Sequence, residues 1–155
     1  GDLAYLINYV KTYAPSAEIV WNMTWAYEQT SSHGEFVKYE NSQEKMYNCI
    51  VSAVKNCVLT QSSVKKVIPC GTAIQNVRTS YVGDRLTRDG YHLTLDLGRY
   101  IAGLTLVETL TGMPVRDVAY KPTGVSENYR RVGVDAVHKA VTHPFEVTVS
   151  AYAEK

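Results

Sequence analysis

At 155 residues the chain fits one domain, and its apolar share of 45% is enough to bury roughly two thirds of the surface exposed on unfolding. Its 16 Lys and Arg residues balance 15 Asp and Glu residues. They are scattered rather than gathered on one stripe, which argues against nucleic acid as a partner. No apolar run approaches the length of a membrane span, and no basic segment followed by a hydrophobic stretch opens the chain, so a soluble chain without a membrane span is expected.

Residues 3–14 predict a helix with Leu3, Leu6, Ile7 and Val10 on one face, stopped at Pro15. The run "EIVWNMTW" that follows is rich in β-branched and aromatic residues and predicts a strand buried on both faces. After the polar loop "EQTSSHGE", the residues Met46, Cys49, Ile50, Ala53, Val54 and Cys57 recur at helical spacing behind a possible N-cap at Ser42. "VKKVIPC" predicts a second short strand, and Gly71-Thr72 begins another loop or helix. A long helix from about Leu95 to Thr111 follows, ended by Gly112 and Pro114. Within it Gly98, Ala102 and Gly103 favour close approach to a neighbour, although each glycine costs about 1 kcal/mol relative to alanine. A last helix from Ser126 to about Val141 is closed by His143-Pro144, and "FEVTVS" alternates like a half-buried or edge strand. Residues 113–155 thus form a helix and strand extension of a single domain.

The order helix, strand, helix, strand, helix argues for an α/β fold with parallel strands and helical crossovers. Two parallel strands bury little and leave both edges open. The opening helix also lacks a strand to leave from. The pattern therefore implies that an N-terminal part of the sheet is absent or is supplied by another chain, and that exposed sheet edges invite self-association.

Three cysteines cannot all pair internally, and Cys49 and Cys57 lie two helical turns apart on the expected core face, where they read as buried hydrophobes. Cys70 ends an apolar run before a glycine. An exposed thiol there would be a nucleophile candidate, but no basic group neighbours it in sequence, and a small residue at a strand end is the simpler interpretation.

The most informative stretch is "GDRLTRDGYHLTLDLGRYIAGL", in which Asp89 precedes His92 by three residues with Gly90 between them. An imidazole works as a general base when a carboxylate accepts its Nδ1 proton and holds its orientation. Gly90 eases the tight turn this needs, and the following helix gives His92 a rigid support. A capping aspartate beside a surface histidine is the alternative at this spacing.

The wider context bears on that choice. "DRLTRDGYHL" resembles the last sequence block of the SGNH (GDSL-like) hydrolases, and "TWAYEQ", "VIPCGTAIQN", "RTS" and "GRYIAGLTLVETLTG" are similar to one bacterial family within that group. The likeness covers roughly residues 3–112, with a weaker echo in "HPFEVTVS". It implies the C-terminal part of a flavodoxin-like α/β/α three-layer sandwich with parallel strands. It further implies ester hydrolysis by a Ser-Asp-His triad, with Asp89 and His92 as two of its members and no cofactor. Substrates would be small or carbohydrate-linked esters, and members of the group are often exported. The early G-D/N-S block that carries the serine, and the two blocks that supply oxyanion donors, are not found here. The opening "GDL" has Leu3 where the serine belongs. The chain alone is therefore expected to be inactive or nearly so. A non-catalytic binding or assembly domain of hydrolase-like shape is the competing interpretation.

Trp25, at the end of the first strand, could wall a pocket or pack under a loop, while Trp21 reads as core. Gln75, Asn76 and Arg88 are candidates for polar substrate contacts, with loop hydrogen bonds as the alternative. His33, His138 and His143 lack metal-binding spacing, so no zinc site is expected. Ser31 and Ser32 beside His33 suggest a Ser-His pair, but no G-x-S-x-G elbow surrounds them.

Overall fold

A computed structural model describes residues 1–154. The architecture is α/β. Helix α1 (Asp2–Tyr13) leads into strand β1 (Ile19–Asn22), and a 3-10 segment (Gly34–Tyr39) precedes helix α2 (Gln43–Ala53), which continues as a π turn (Val54–Val58). Strand β2 (Val64–Ile68) passes into helix α3 (Cys70–Arg78), and the long loop of residues 79–96 leads to helix α4 (Leu97–Thr111). A short 3-10 turn (Val115–Asp117) and helix α5 (Glu127–Thr142) follow. No helix among the described residues is long and apolar enough to cross a membrane.

The two strands pair in parallel, with Val20 opposite Lys66, Trp21 opposite Val67 and Asn22 opposite Ile68. Met23 extends the ladder by donating its N–H to the Ile68 carbonyl at 2.9 Å. Each strand has one unpaired edge. The expectation of a strand buried on both faces fails for this reason: Ile19, Val20 and Trp21 are only half-buried, because a two-stranded ribbon cannot be sealed by the elements around it.

Two apolar clusters hold the fold together. One joins α3, α4 and α5 through Ala73, Ile74, Val77, Ile101, Leu104, Val132 and Val137. The other packs Met23, Phe36, Met46, Tyr47, Val51 and Val54 beside Trp21, Val64 and Val67. Helix α2 begins as its sequence dictates, with the Ser42 hydroxyl accepting from Lys45 N–H. Its buried face is Gln43, Met46, Tyr47 and Val51, continued by Val54 and Val58 in the π turn. This stripe is rotated from the predicted one, and Cys49 and Cys57 are exposed rather than buried. The core side advances by steps of three and four through 43, 46, 47, 51, 54 and 58, and positions 49 and 57 fall outside it.

Within α4 the glycines differ. Gly98 is pressed against Leu86, whereas a methyl at Gly103 would meet nothing within 4 Å, so of the two glycines only Gly98 serves close approach. Residues 145–150 do not form the predicted strand. The N–H groups of the tail find side chains rather than a ladder: Thr148 donates to Asn76 Oδ1 at 2.7 Å, Ser150 to Thr79 Oγ1 at 2.8 Å, and Ala151 to Asp135 Oδ2 at 3.1 Å. Asn76 is buried for this purpose, its amide also donating to the Ala136 carbonyl.

Helix α1 is the least integrated element. Ile7 is its one buried residue, and Leu3 is partly covered by the second cluster. Tyr5, Leu6, Tyr9, Val10 and Tyr13 are exposed.

Candidate functional site

The loop of residues 79–96 narrows into a hairpin-like turn. Thr87 and Leu93 form an antiparallel bridge, and Arg88 N–H donates to the His92 carbonyl at 2.9 Å. Asp89, Gly90 and Tyr91 make the tip. Gly90 has φ +89°, a conformation in which a side chain is strained. A Cβ at Gly90 would also lie 2.8 Å from Ser31 Oγ and 3.2 Å from Ser31 Cα, so the glycine permits both the turn and its seat against residues 28–31.

Asp89 closes the turn with both oxygens. Oδ1 accepts from the N–H groups of His92 at 2.8 Å and Tyr91 at 3.3 Å, and Oδ2 lies 2.8 Å from His92 Nδ1. Asp89 does not cap α4, since Asp96 takes that role by accepting from Leu97 N–H. Partial desolvation pushes the Asp89 carboxyl up. The hydrogen bonds from the His92 ring and from the two N–H groups, together with the His92 charge, outweigh it and bring the pKa down to about 2. The carboxylate is thus ionised across the physiological range and fixes the imidazole with Nδ1 inward. Among the described residues no partner takes Nε2, and the ring is 53% exposed.

The turn is held from below. Trp25 Nε1 donates to the Tyr91 carbonyl at 2.8 Å, and Glu28 N–H donates to the Gly90 carbonyl at 2.8 Å. Glu28 also accepts from the Thr87 hydroxyl through its carboxylate. A second layer fixes this segment in turn. Arg78, with a side chain 4% exposed, places Nε 2.7 Å from Asp84 Oδ1 and donates to the Ala26 and Tyr27 carbonyls. Asp84 Oδ2 accepts from Gln29 N–H and from the buried Gln43 amide.

The fold therefore brings Asp89, His92, Arg88 and Trp25 together. Arg88 Nε stands 3.8 Å from Asp89 Oδ2, and Trp25 supports the turn through the Tyr91 carbonyl. Gln75 is not at the site. It donates to Gln43 Oε1 and accepts from Arg78 Nη1, and so lies in the supporting network. Cys70 is buried, its thiol donating to the Ala102 carbonyl at 3.7 Å, and burial pushes its pKa up to about 12, which removes it as a nucleophile.

Sequence reasoning missed the roles of Glu28, Arg78, Asp84 and Gln43. Most of the pairs they form are remote in sequence, Gln43 with Asp84 and Gln75, Glu28 with Thr87, and Arg78 with Ala26 and Tyr27, and no local pattern marks such pairs. It also missed the aromatic surround. The Tyr91 ring centroid is 4.1 Å from that of His92 and 4.7 Å from that of His33, and Tyr27 lies 4.9 Å from His33. Ser31 belongs to this neighbourhood, where its Oγ accepts from His33 N–H at 3.3 Å. Among the described residues, no three His, Cys, Asp or Glu side chains gather closely enough to hold a metal ion.

Comparison with known proteins places this arrangement in a family context. A family model described as a domain of unknown function (DUF4886) matches residues 1–140. The chain is also similar to the crystal structure of a DUF4886 family protein from Bacteroides uniformis ATCC 8492, with 41% sequence identity and a TM-score of 0.87 over 92% of this chain. The match covers 55% of that protein's chain, so this chain spans about half its length. No curated protein matches the sequence.

Proposed function

The chain belongs to the DUF4886 family, and from its imidazole fixed by a carboxylate at 2.8 Å and the resemblance of its sequence blocks to the SGNH hydrolases we propose that it is the acid/base half of an SGNH-type ester hydrolase. In this proposal Asp89 accepts a hydrogen bond from the Nδ1–H of His92 and stabilises the imidazolium. His92 Nε2 removes the proton of a serine hydroxyl as that oxygen attacks the acyl carbon, then returns it to the departing alcohol. The serine and the oxyanion donors stand outside this chain, on a segment that completes a flavodoxin-like three-layer sandwich.

The observation that carries the proposal is the combination of an ionised Asp89, a fixed Nδ1 and an unpartnered Nε2 on a half-exposed ring. A capping aspartate would explain the backbone bonds to Tyr91 and His92 but not the ring contact. The unpaired strand edges and the exposed apolar side chains of α1 are what a completing segment would cover. The rings of Tyr27, His33 and Tyr91 beside His92 suit the apolar face of a sugar, which favours small or carbohydrate-linked esters as substrates.

The test is hydrolysis of p-nitrophenyl acetate by the protein as its gene encodes it, set against the His92→Ala variant and against the 155-residue chain alone. The expected result is a loss of kcat of about a thousandfold or more in the variant and no hydrolysis above background by the chain alone. Hydrolysis that persists unchanged in His92→Ala would refute the assignment of the base.

A further inference from the structure

The second half of α4, the turn Val115–Asp117, α5 and the C-terminal tail enclose a cavity of about 360 Å³. None of the Asp89–His92 turn contributes to its lining. Its floor is Glu108, a carboxylate 6% exposed. One oxygen of Glu108 accepts from Val115 N–H at 2.9 Å and the other lies 2.8 Å from His138 Nδ1. A buried carboxylate requires such partners. Here they hold the carboxylate in place and fix the His138 ring, which is 59% exposed at the cavity rim.

The remaining charges at the cavity are unequal. The acidic Asp135 is committed to Lys139 and to the hydroxyl and N–H groups of Ser150 and Ala151. Arg130 is likewise committed, to Glu127 and to the carbonyls of Arg116 and Val118. Arg131 has no hydrogen-bond or ion-pair partner among the described residues, and Arg116 approaches Asp117 only to 3.9 Å. Arg131 and Arg116 thus line, with exposed side chains, a cavity whose carboxylates are already hydrogen-bonded, and Pro114, Val115 and Val134 give it an apolar wall. Guanidinium matches a carboxylate in a planar, two-point geometry.

We propose that this cavity binds a small organic carboxylate, whose oxygens engage Arg131 and Arg116 and whose carbon chain lies against Val115 and Val134. The assignment is independent of the esterase proposal, since it uses none of the same residues. It is tested by NMR titration of the chain with sodium butyrate, with 1-butanol and inorganic phosphate as comparison probes, following the Val115 and Val134 methyls and the His138 ring. Butyrate is expected to shift all three saturably, butanol to leave them unmoved, and Arg131→Ala to weaken butyrate binding about tenfold or more. Arg131→Lys should restore part of it, which separates a charge contact from loss of fold. The proposal is overturned if butyrate shifts do not saturate, if butanol matches butyrate, or if Arg131→Ala binds as the unchanged chain does. Phosphate binding as tightly as butyrate with the valine methyls still would likewise overturn the carboxylate assignment.

Discussion

The two glycines of α4 offer a direct measure of how the Asp89–His92 turn is supported. A methyl at Gly98 would stand 2.6 Å from the Leu86 carbonyl oxygen, 3.0 Å from Leu93 Cβ and 3.1 Å from Thr94 Oγ1. The Leu86 carbonyl accepts from Thr94 N–H at 2.9 Å, so it cannot retreat without straining that bond. Overpacking of this kind costs about 1–3 kcal/mol, and a weakened backbone hydrogen bond adds about 1 kcal/mol. Alanine returns about 1 kcal/mol of helix propensity. The net loss expected for Gly98→Ala is about 2 kcal/mol. Gly103→Ala keeps the propensity gain and meets no neighbour, so it should stabilise by about 1 kcal/mol. In urea unfolding with a slope of about 2 kcal/mol/M, the midpoints should move by about 1 M downward and about 0.5 M upward respectively. Because Leu86, Leu93 and Thr94 adjoin the bridge beneath the turn, Gly98→Ala should also shift the His92 ring resonances, and Gly103→Ala should not. A neutral Gly98→Ala, or a Gly103→Ala that is the more destabilising of the two, would refute the packing argument.

Two further outcomes follow from the site's electrostatics and from the rotated face of α2. The Asp89 carboxyl, held down to about 2, should titrate by NMR well below the usual carboxylate range. Since its folded pKa is depressed, the stabilisation it gives the turn is complete above the pKa of an unfolded aspartate and is lost as pH falls toward 2; a midpoint near the ordinary value would contradict the ring and N–H contacts. In a thiol-reactivity assay with a disulfide reagent, the exposed Cys49 and Cys57 should react in the native protein while the buried Cys70 does so only on unfolding. Rapid reaction of all three would mean that Cys70 is not packed against Ala102.

Much of this protein was legible in the sequence, because the deciding interactions were local. The helix of residues 2–13 stops before Pro15, Ser42 caps α2, Gly112 closes α4, and the alternation of helices and strands announces an α/β fold. The Asp89–His92 contact is local too, but the spacing left a capping aspartate open as the alternative, and it is the folded turn that puts the carboxylate on the ring. Tertiary structure decided what depends on partners far along the chain. Cys49 and Cys57 face solvent because the core selected a neighbouring stripe of α2. The tail of residues 145–150 is no strand because Asn76 and Thr79 take the N–H groups of Thr148 and Ser150. Gln75 joined the support of the site rather than the site itself, bound by Gln43 and Arg78. Sequence periodicity reports which positions are apolar, whereas the face that is buried and the groups that complete a buried hydrogen bond are fixed only when distant segments meet.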